Sequence, residues 1–170
     1  MRKVIEKIKE EFLAILPPTI FFFVALHVVA LVRSLMTRGT GITPVSSLSV
    51  TVAALILGKS VLIADLLPAI NRFPSKPLAY NVLWKTAIYM LVAAVIHYAE
   101  RLIDFWREAG GFIAGNQKLF AEIAWPHFLA VEIVLFAMIL DYVTMRELVR
   151  VLGAGELKRM FFGPMAKPTT

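Results

Sequence analysis

Lys59, Glu132, Asp65, Lys85 and Asp141, together with His27, His97, Glu100 and His127, are ionisable side chains that fall within long apolar stretches of this chain. In lipid each such charge costs about 2.5–3.5 kcal/mol on insertion scales, so it turns inward and finds a partner. Counting depth along antiparallel helices puts Lys59 and Glu132 near a shared midplane. Asp65, Lys85 and Asp141 fall to one side of it, and His97, Glu100 and His127 to the other, with His27 between the midplane and that second layer. Lys59 can then neutralise Glu132, and Lys85 can neutralise Asp65 or Asp141. Carboxylate, imidazole and amine groups stacked at every depth are what an ion or proton relay needs, because each hop requires a titratable group or water. The same pairs also serve as structural glue that sets helix register. A further possibility lies in the histidines. Two neutral imidazoles at equal depth on facing helices ligate a haem b iron, with His97 and His127 the required pair and His27 the remaining candidate.

The elements that must position these groups follow from composition. The chain has 170 residues, 59% of them hydrophobic and 18% charged, with a mean hydropathy of +0.75. That is too oily for a water-soluble domain of this size. A hydrocarbon layer ~30 Å thick requires about 20 helical residues, since lipid offers no partner for open backbone groups. Four stretches qualify, near residues 18–36, 48–68, 78–103 and 123–144. The fold class is therefore all-α, a membrane four-helix bundle forming a single domain over 1–170.

Val4, Ile5, Ile8 and Phe12 recur at helical spacing opposite Lys3, Glu6, Lys7, Lys9 and Glu10, which predicts an amphipathic interfacial helix over 1–16, ended or kinked by Pro17 and Pro18. A second interfacial helix is expected over 146–162, broken near Gly153 and Gly155, and a short helix on the outer surface around Phe112–Phe120. Thr37–Ser47 is expected to be a flexible loop, whereas the short Asn71–Pro77 connection makes spans two and three an antiparallel hairpin. On span three Asn81, Lys85, Tyr89 and Glu100 make a polar stripe, with His97 and Asp104 at its edge. On span two Lys59 and Asp65 are ~240° apart and share no face, so one of them is expected to meet another neighbour or another copy of the chain.

Most of the 18 Lys and Arg residues fall on the N-terminal side of the spans, leaving Arg33, Arg38, Arg101, Arg107 and Lys118 opposite and Lys59 and Lys85 within spans. By the positive-inside rule both termini are cytoplasmic, and the net charge of +6 is first a topology signal. Nucleic-acid binding is not expected, since no basic cluster is interleaved with aromatics on a separate domain. Glu6, Glu10 and Glu11 interrupt the basic start and the apolar run after them is long, so a retained signal anchor is expected. Cysteine is absent, which excludes disulfides, thiolate chemistry and Cys-ligated metals. No phosphate loop, His-Glu metal motif or nucleophile elbow occurs, and Gly58-Lys59-Ser60 imitates only the end of a P-loop. Arg72 and Lys76, with Lys85, are candidates for an anionic lipid headgroup.

Gly58-Lys59-Ser60-Val61-Leu62, Arg72-Phe73, Lys76-Pro77-Leu78-Ala79-Tyr80 and Leu83-Trp84-Lys85-Thr86 resemble a family of small uncharacterised bacterial four-helix inner-membrane proteins. Arg146-Glu147-Leu148, Arg150-Val151-Leu152-Gly153, Gly155 and Phe161-Phe162 are similar to the end of the same proteins. The resemblance covers the central hairpin and the C-terminal helix; it implies a bacterial inner-membrane location and brings no activity. The leading expectation is a non-enzymatic membrane subunit or scaffold, in a homo-oligomer or a larger membrane complex, with no cofactor and no metal. The alternatives are an oligomeric ion or proton channel or transporter, and a haem b-binding membrane anchor.

Overall fold

The computed structural model describes residues 2–39, 46–73 and 75–164, without the side chains of residues 2–12, 14, 108 and 109. Over these residues the chain is all-helical, with α1 Arg2–Met36, α2 Ser47–Asp65, α3 Leu78–Ala109, α4 Phe112–Glu122, α5 Trp125–Leu152 and α6 Ala154–Phe162. Four helices contain segments long and apolar enough to cross a membrane, namely Ile15–Met36, Ser47–Asp65, Leu78–Arg107 and Trp125–Leu152.

Each boundary has a local cause. Ser46 caps α2, its Oγ accepting from the Ser49 amide at 3.1 Å. The α2–α3 connection is fixed by side chains of the following helix: Trp84 Nε1 donates to the Ala69 carbonyl at 2.9 Å, and Asn81 Nδ2 donates to the Lys76 carbonyl at 3.0 Å. Phe73 sits edge-on to both Tyr80 and Trp84, with ring centroids 5.2 Å apart in each case. Helix α5 stops at Gly153, whose φ of 82° lies where L side chains are strained.

Two expected boundaries are corrected. The break at Pro17 and Pro18 is absent, and α1 runs unbroken through both. Each proline removes one backbone donor, yet its fixed φ of about −65° is compatible with helix, so the segment stays helical at the cost of the lost hydrogen bonds. The expected amphipathic face at Val4, Ile5, Ile8 and Phe12 lies outside the described side chains. At the other end the expected break falls at Gly153, but Arg146 to Leu152 continue α5, and only α6 is a separate helix. Of the expected outer loop, residues 40–45 lie outside the described residues, as does Pro74 in the second loop.

Packing runs in a circuit. Helix α1 lies along α2, α2 along α3 and α3 along α5, and α5 touches α1, with α4 against α3 and α6 against α5. Phe22 from α1, Ala54, Leu57, Val61 and Ala64 from α2, Tyr89 and Ala93 from α3, and Leu135, Met138, Ile139 and Val143 from α5 form the core. Tyr142 packs on Phe21 and Phe22 at centroid distances of 5.4 and 5.5 Å. The outward faces carry many large apolar side chains, with Val28, Leu31, Leu35, Val52, Leu55, Leu91, Val95 and Ile133 all exposed. Exposed apolar area on this scale suits lipid contact and not water.

Candidate functional site

At the end where α2 stops and α3 begins, side chains from three helices meet in two linked ionic groups. In the first, Arg146 Nη1 of α5 reaches Asp65 Oδ2 at the end of α2 at 2.6 Å and donates to the Tyr89 hydroxyl of α3 at 2.8 Å. Tyr89 in turn donates to Asp65 Oδ1 at 2.5 Å. In the second, Lys85 Nζ meets Glu147 Oε1 at 2.7 Å, while Arg150 places Nε and Nη2 on Glu147 Oε2 at 2.8 and 2.7 Å. Glu147 is enclosed, with its side chain 2% exposed against 12% for Lys85.

Helical spacing makes this arrangement possible. Lys85 and Tyr89 are one turn apart on α3, and the face they share with the buried Asn81, Val82, Thr86 and Ala93 turns toward α2 and α5. Arg146 and Glu147 are neighbours and point about 100° apart, so one reaches Tyr89 and Asp65 while the other reaches Lys85. All four carboxylate oxygens accept from protein donors. The cluster is therefore a clamp joining α2, α3 and α5, with neither carboxylate left open as a base or an ion ligand.

Placement of the expected site residues differs from the pairing inferred from depth. Lys59 does not meet Glu132: α2 and α5 share no backbone packing, Lys59 is exposed, and it makes no hydrogen bond or ion pair with any described residue. The reasons are depth and angle: with Asp65 bonded to Arg146, Lys59 lies about 9 Å and Glu132 about 21 Å from that bond along their helices at ~1.5 Å per residue. The buried face of α2 is carried by Val50, Ala54, Leu57, Val61 and Ala64, and at ~100° per residue Lys59 stands opposite it. Lys85 pairs with Glu147 in place of Asp65 or Asp141, Asp65 is taken by Arg146, and Asp141 is exposed. Glu100 is exposed on the same helix, as are Arg72 and Lys76 in the α2–α3 connection. Arg146, Glu147 and Arg150 escaped the sequence reading because span four was ended at Thr144. Carrying the helical pattern one turn past Thr144 reaches Glu147, which meets Lys85.

His27 joins none of the other histidines. Its Nδ1 lies 2.8 Å from the Phe23 carbonyl and its Nε2 2.9 Å from Ser47 Oγ, which ties α1 to the start of α2. His97 and His127, by contrast, line one cavity of about 450 Å³ between α3, α4 and α5, along with Tyr98, Arg101, Glu122 and Glu132. Among the described residues no group of three or more His, Asp or Glu is arranged to hold a metal ion. Between this cavity and the clamp lie the apolar Ala93, Leu135, Met138 and Ile139. Tyr89 and His97 are about 12 Å apart along α3 at ~1.5 Å per residue.

Fold and site together define an all-helical protein with four potential membrane spans tied at one end by a saturated ionic clamp. Compared with protein-family models, with curated proteins and with solved structures, the chain matches none.

Proposed function

We propose that this chain is a non-enzymatic multi-pass membrane subunit or scaffold of a bacterial inner membrane, with both termini in the cytoplasm and the clamp at the cytoplasmic ends of its spans. The observation that carries this reading is the saturation of the clamp. Its two carboxylates are filled by Tyr89, Arg146, Lys85 and Arg150, an arrangement that holds helices in register and leaves neither carboxylate free for chemistry. The apolar layer of Ala93, Leu135, Met138 and Ile139 separates the clamp from His97, His127 and Glu132, which counts against a relay within one chain. The cytoplasmic setting rests on the basic residues of the N-terminus and the α2–α3 connection.

Proteoliposomes test this. The purified chain is expected to pass protons and monovalent ions no faster than empty vesicles, both as wild type and as Glu132→Gln. Flux that disappears in Glu132→Gln would replace the scaffold with a conductor.

One observation favours a second reading. His97 and His127 come from different helices yet face the same cavity, so this is where a haem b would sit if the chain anchors one. That reading requires a Soret band in protein purified from haem-replete cells, lost in His97→Ala and in His127→Ala but kept in His27→Ala. The scaffold reading expects no such band.

A further inference from the structure

Lys59 and Asp141 are opposite charges left facing outward on spans of the same chain. Each is exposed and has no hydrogen-bond or ion-pair partner among the described residues. Lys59 lies in the middle of the outer stripe of α2, with Leu48, Val52, Leu55, Ile63 and Leu66 around it, all exposed. Asp141 lies on the face of α5 turned away from Leu135, Ile139 and Val143, beside the exposed Val134, Ala137 and Met145. Their depths agree. Lys59 is about 9 Å from Asp65 along α2 and Asp141 about 7.5 Å from Arg146 along α5, at ~1.5 Å per residue, and Asp65 and Arg146 are bonded to each other. The two helices also run in the same direction, since each follows a span of the opposite sense.

We propose that a second copy of this chain covers these stripes, so that Lys59 of one copy pairs with Asp141 of the next within the membrane. The proposal rests on the subunit reading above and names the partner. Within one chain the pair does not form: the backbones of α2 and α5 make no close approach, and each charge is on the side of its helix away from the core. A two-fold contact would set Lys59 against Lys59 or demand both residues on one patch. A head-to-tail contact satisfies every charge with one donor and one acceptor per chain, and closes without remainder when the copies form a ring. Ala137, one turn from Asp141, lets the neighbouring α2 approach. A charge exposed to acyl chains is expensive whereas a pair buried between helices is not, so charge complementarity at equal depth selects another copy over lipid as the occupant.

The chain contains no Cys, so introduced thiols report directly. Leu55 and Ala137 each stand one turn before Lys59 and Asp141 and leave both charges in place. Leu55→Cys and Ala137→Cys chains carrying different tags, co-expressed and oxidised in native membranes, are expected to give a mixed-tag disulfide dimer. Either variant alone stays monomeric, and a chain with both thiols yields a ladder of dimers, trimers and larger species. Lys59→Asp in the Leu55→Cys chain abolishes the mixed dimer, and Asp141→Lys in its partner restores it. Self-cross-linking of a single variant would replace the head-to-tail contact with a two-fold one and overturn the proposal. So would the absence of any mixed dimer, or a failure of the charge reversal to restore it when both chains are membrane-inserted at wild-type levels; Lys59 would then be satisfied by lipid phosphate. The flux assay fails separately: a ladder from a conducting protein sinks the scaffold and keeps this interface, while no ladder from a non-conducting protein sinks the interface alone.

Discussion

Replacing Glu147 with Ala is expected to unfold the clamp end of the molecule at a cost of about 3–5 kcal/mol, the range for stranding one member of a buried ion pair. Glu147 is the better enclosed of the two carboxylates and carries Lys85 on one oxygen and Arg150 on the other. Its loss does not affect the two cations equally. Arg150 is about half exposed and can turn to water or a headgroup. Lys85 is 12% exposed, sits between α3 and α5, and is left as an unpaired ammonium. Lys85→Met with Glu147→Leu removes both charges and fills the space with apolar atoms, so the double variant is expected to lose much less than Glu147→Ala. The measurement is the melting temperature in mild detergent, followed through the intrinsic fluorescence of the three Trp residues. Equal melting temperatures for the single and double variants would show that Lys85 does not depend on Glu147. Lys59→Met serves as the contrast: Lys59 has no partner among the described residues, so the isolated monomer should tolerate its removal.

What could be read from the amino acids alone divides along a physical line. The four span-length helices were legible, because a bilayer-length apolar run is a local property of consecutive residues. The pairing of α2 with α3 was legible from their short connection, and so was the inward face of Asn81, Lys85 and Tyr89, since periodicity fixes which residues share a face, whereas Glu100, expected on the same stripe, is exposed. Pairings were not legible. Counting depth from the span ends places Lys59 and Glu132 at one level, but with Asp65 bonded to Arg146 they lie about 9 and 21 Å from that bond along their helices at ~1.5 Å per residue, and a bond also requires that both faces turn inward, which packing with neighbours sets. Gly58, Ala54 and Ala64 turn α2 so that Lys59 points out, a consequence of which residues are small and not of where the charges lie. The clamp was missed for a related reason. Arg146 and Arg150 look like the basic flank expected after a last span, and only the continued α5 brings them back onto Asp65 and Glu147.

Gly58→Val is expected to separate α1 from α2 and to be the most damaging single substitution outside the clamp. A Cβ at Gly58 would collide with Thr19 Oγ1 and stand 3.2 Å from both the Cα and the Cβ of Thr19. The hydroxyl can rotate away, but the Thr19 backbone moves only with the whole of α1. Overpacking of this kind costs about 1–3 kcal/mol where a core can adjust, and a β-branched residue adds two methyl groups to the collision. Because α1 packs chiefly along α2 and only touches α5, a wedge at this crossing removes most of what holds α1. The same contact supplies its own control. Thr19 Oγ1 is buried and has no hydrogen-bond partner among the described residues, so Thr19→Ala discards an unsatisfied polar atom and is expected to leave stability unchanged or improved. It also opens the space that a methyl at Gly58 needs. Gly58→Ala should therefore lower the melting temperature in detergent, and Thr19→Ala in the same chain should recover most of the loss. If Gly58→Ala melts as the wild type does, the two helices do not cross at these residues. If it is destabilised but Thr19→Ala gives no recovery, the backbone of α1, and not the hydroxyl, sets the distance of approach.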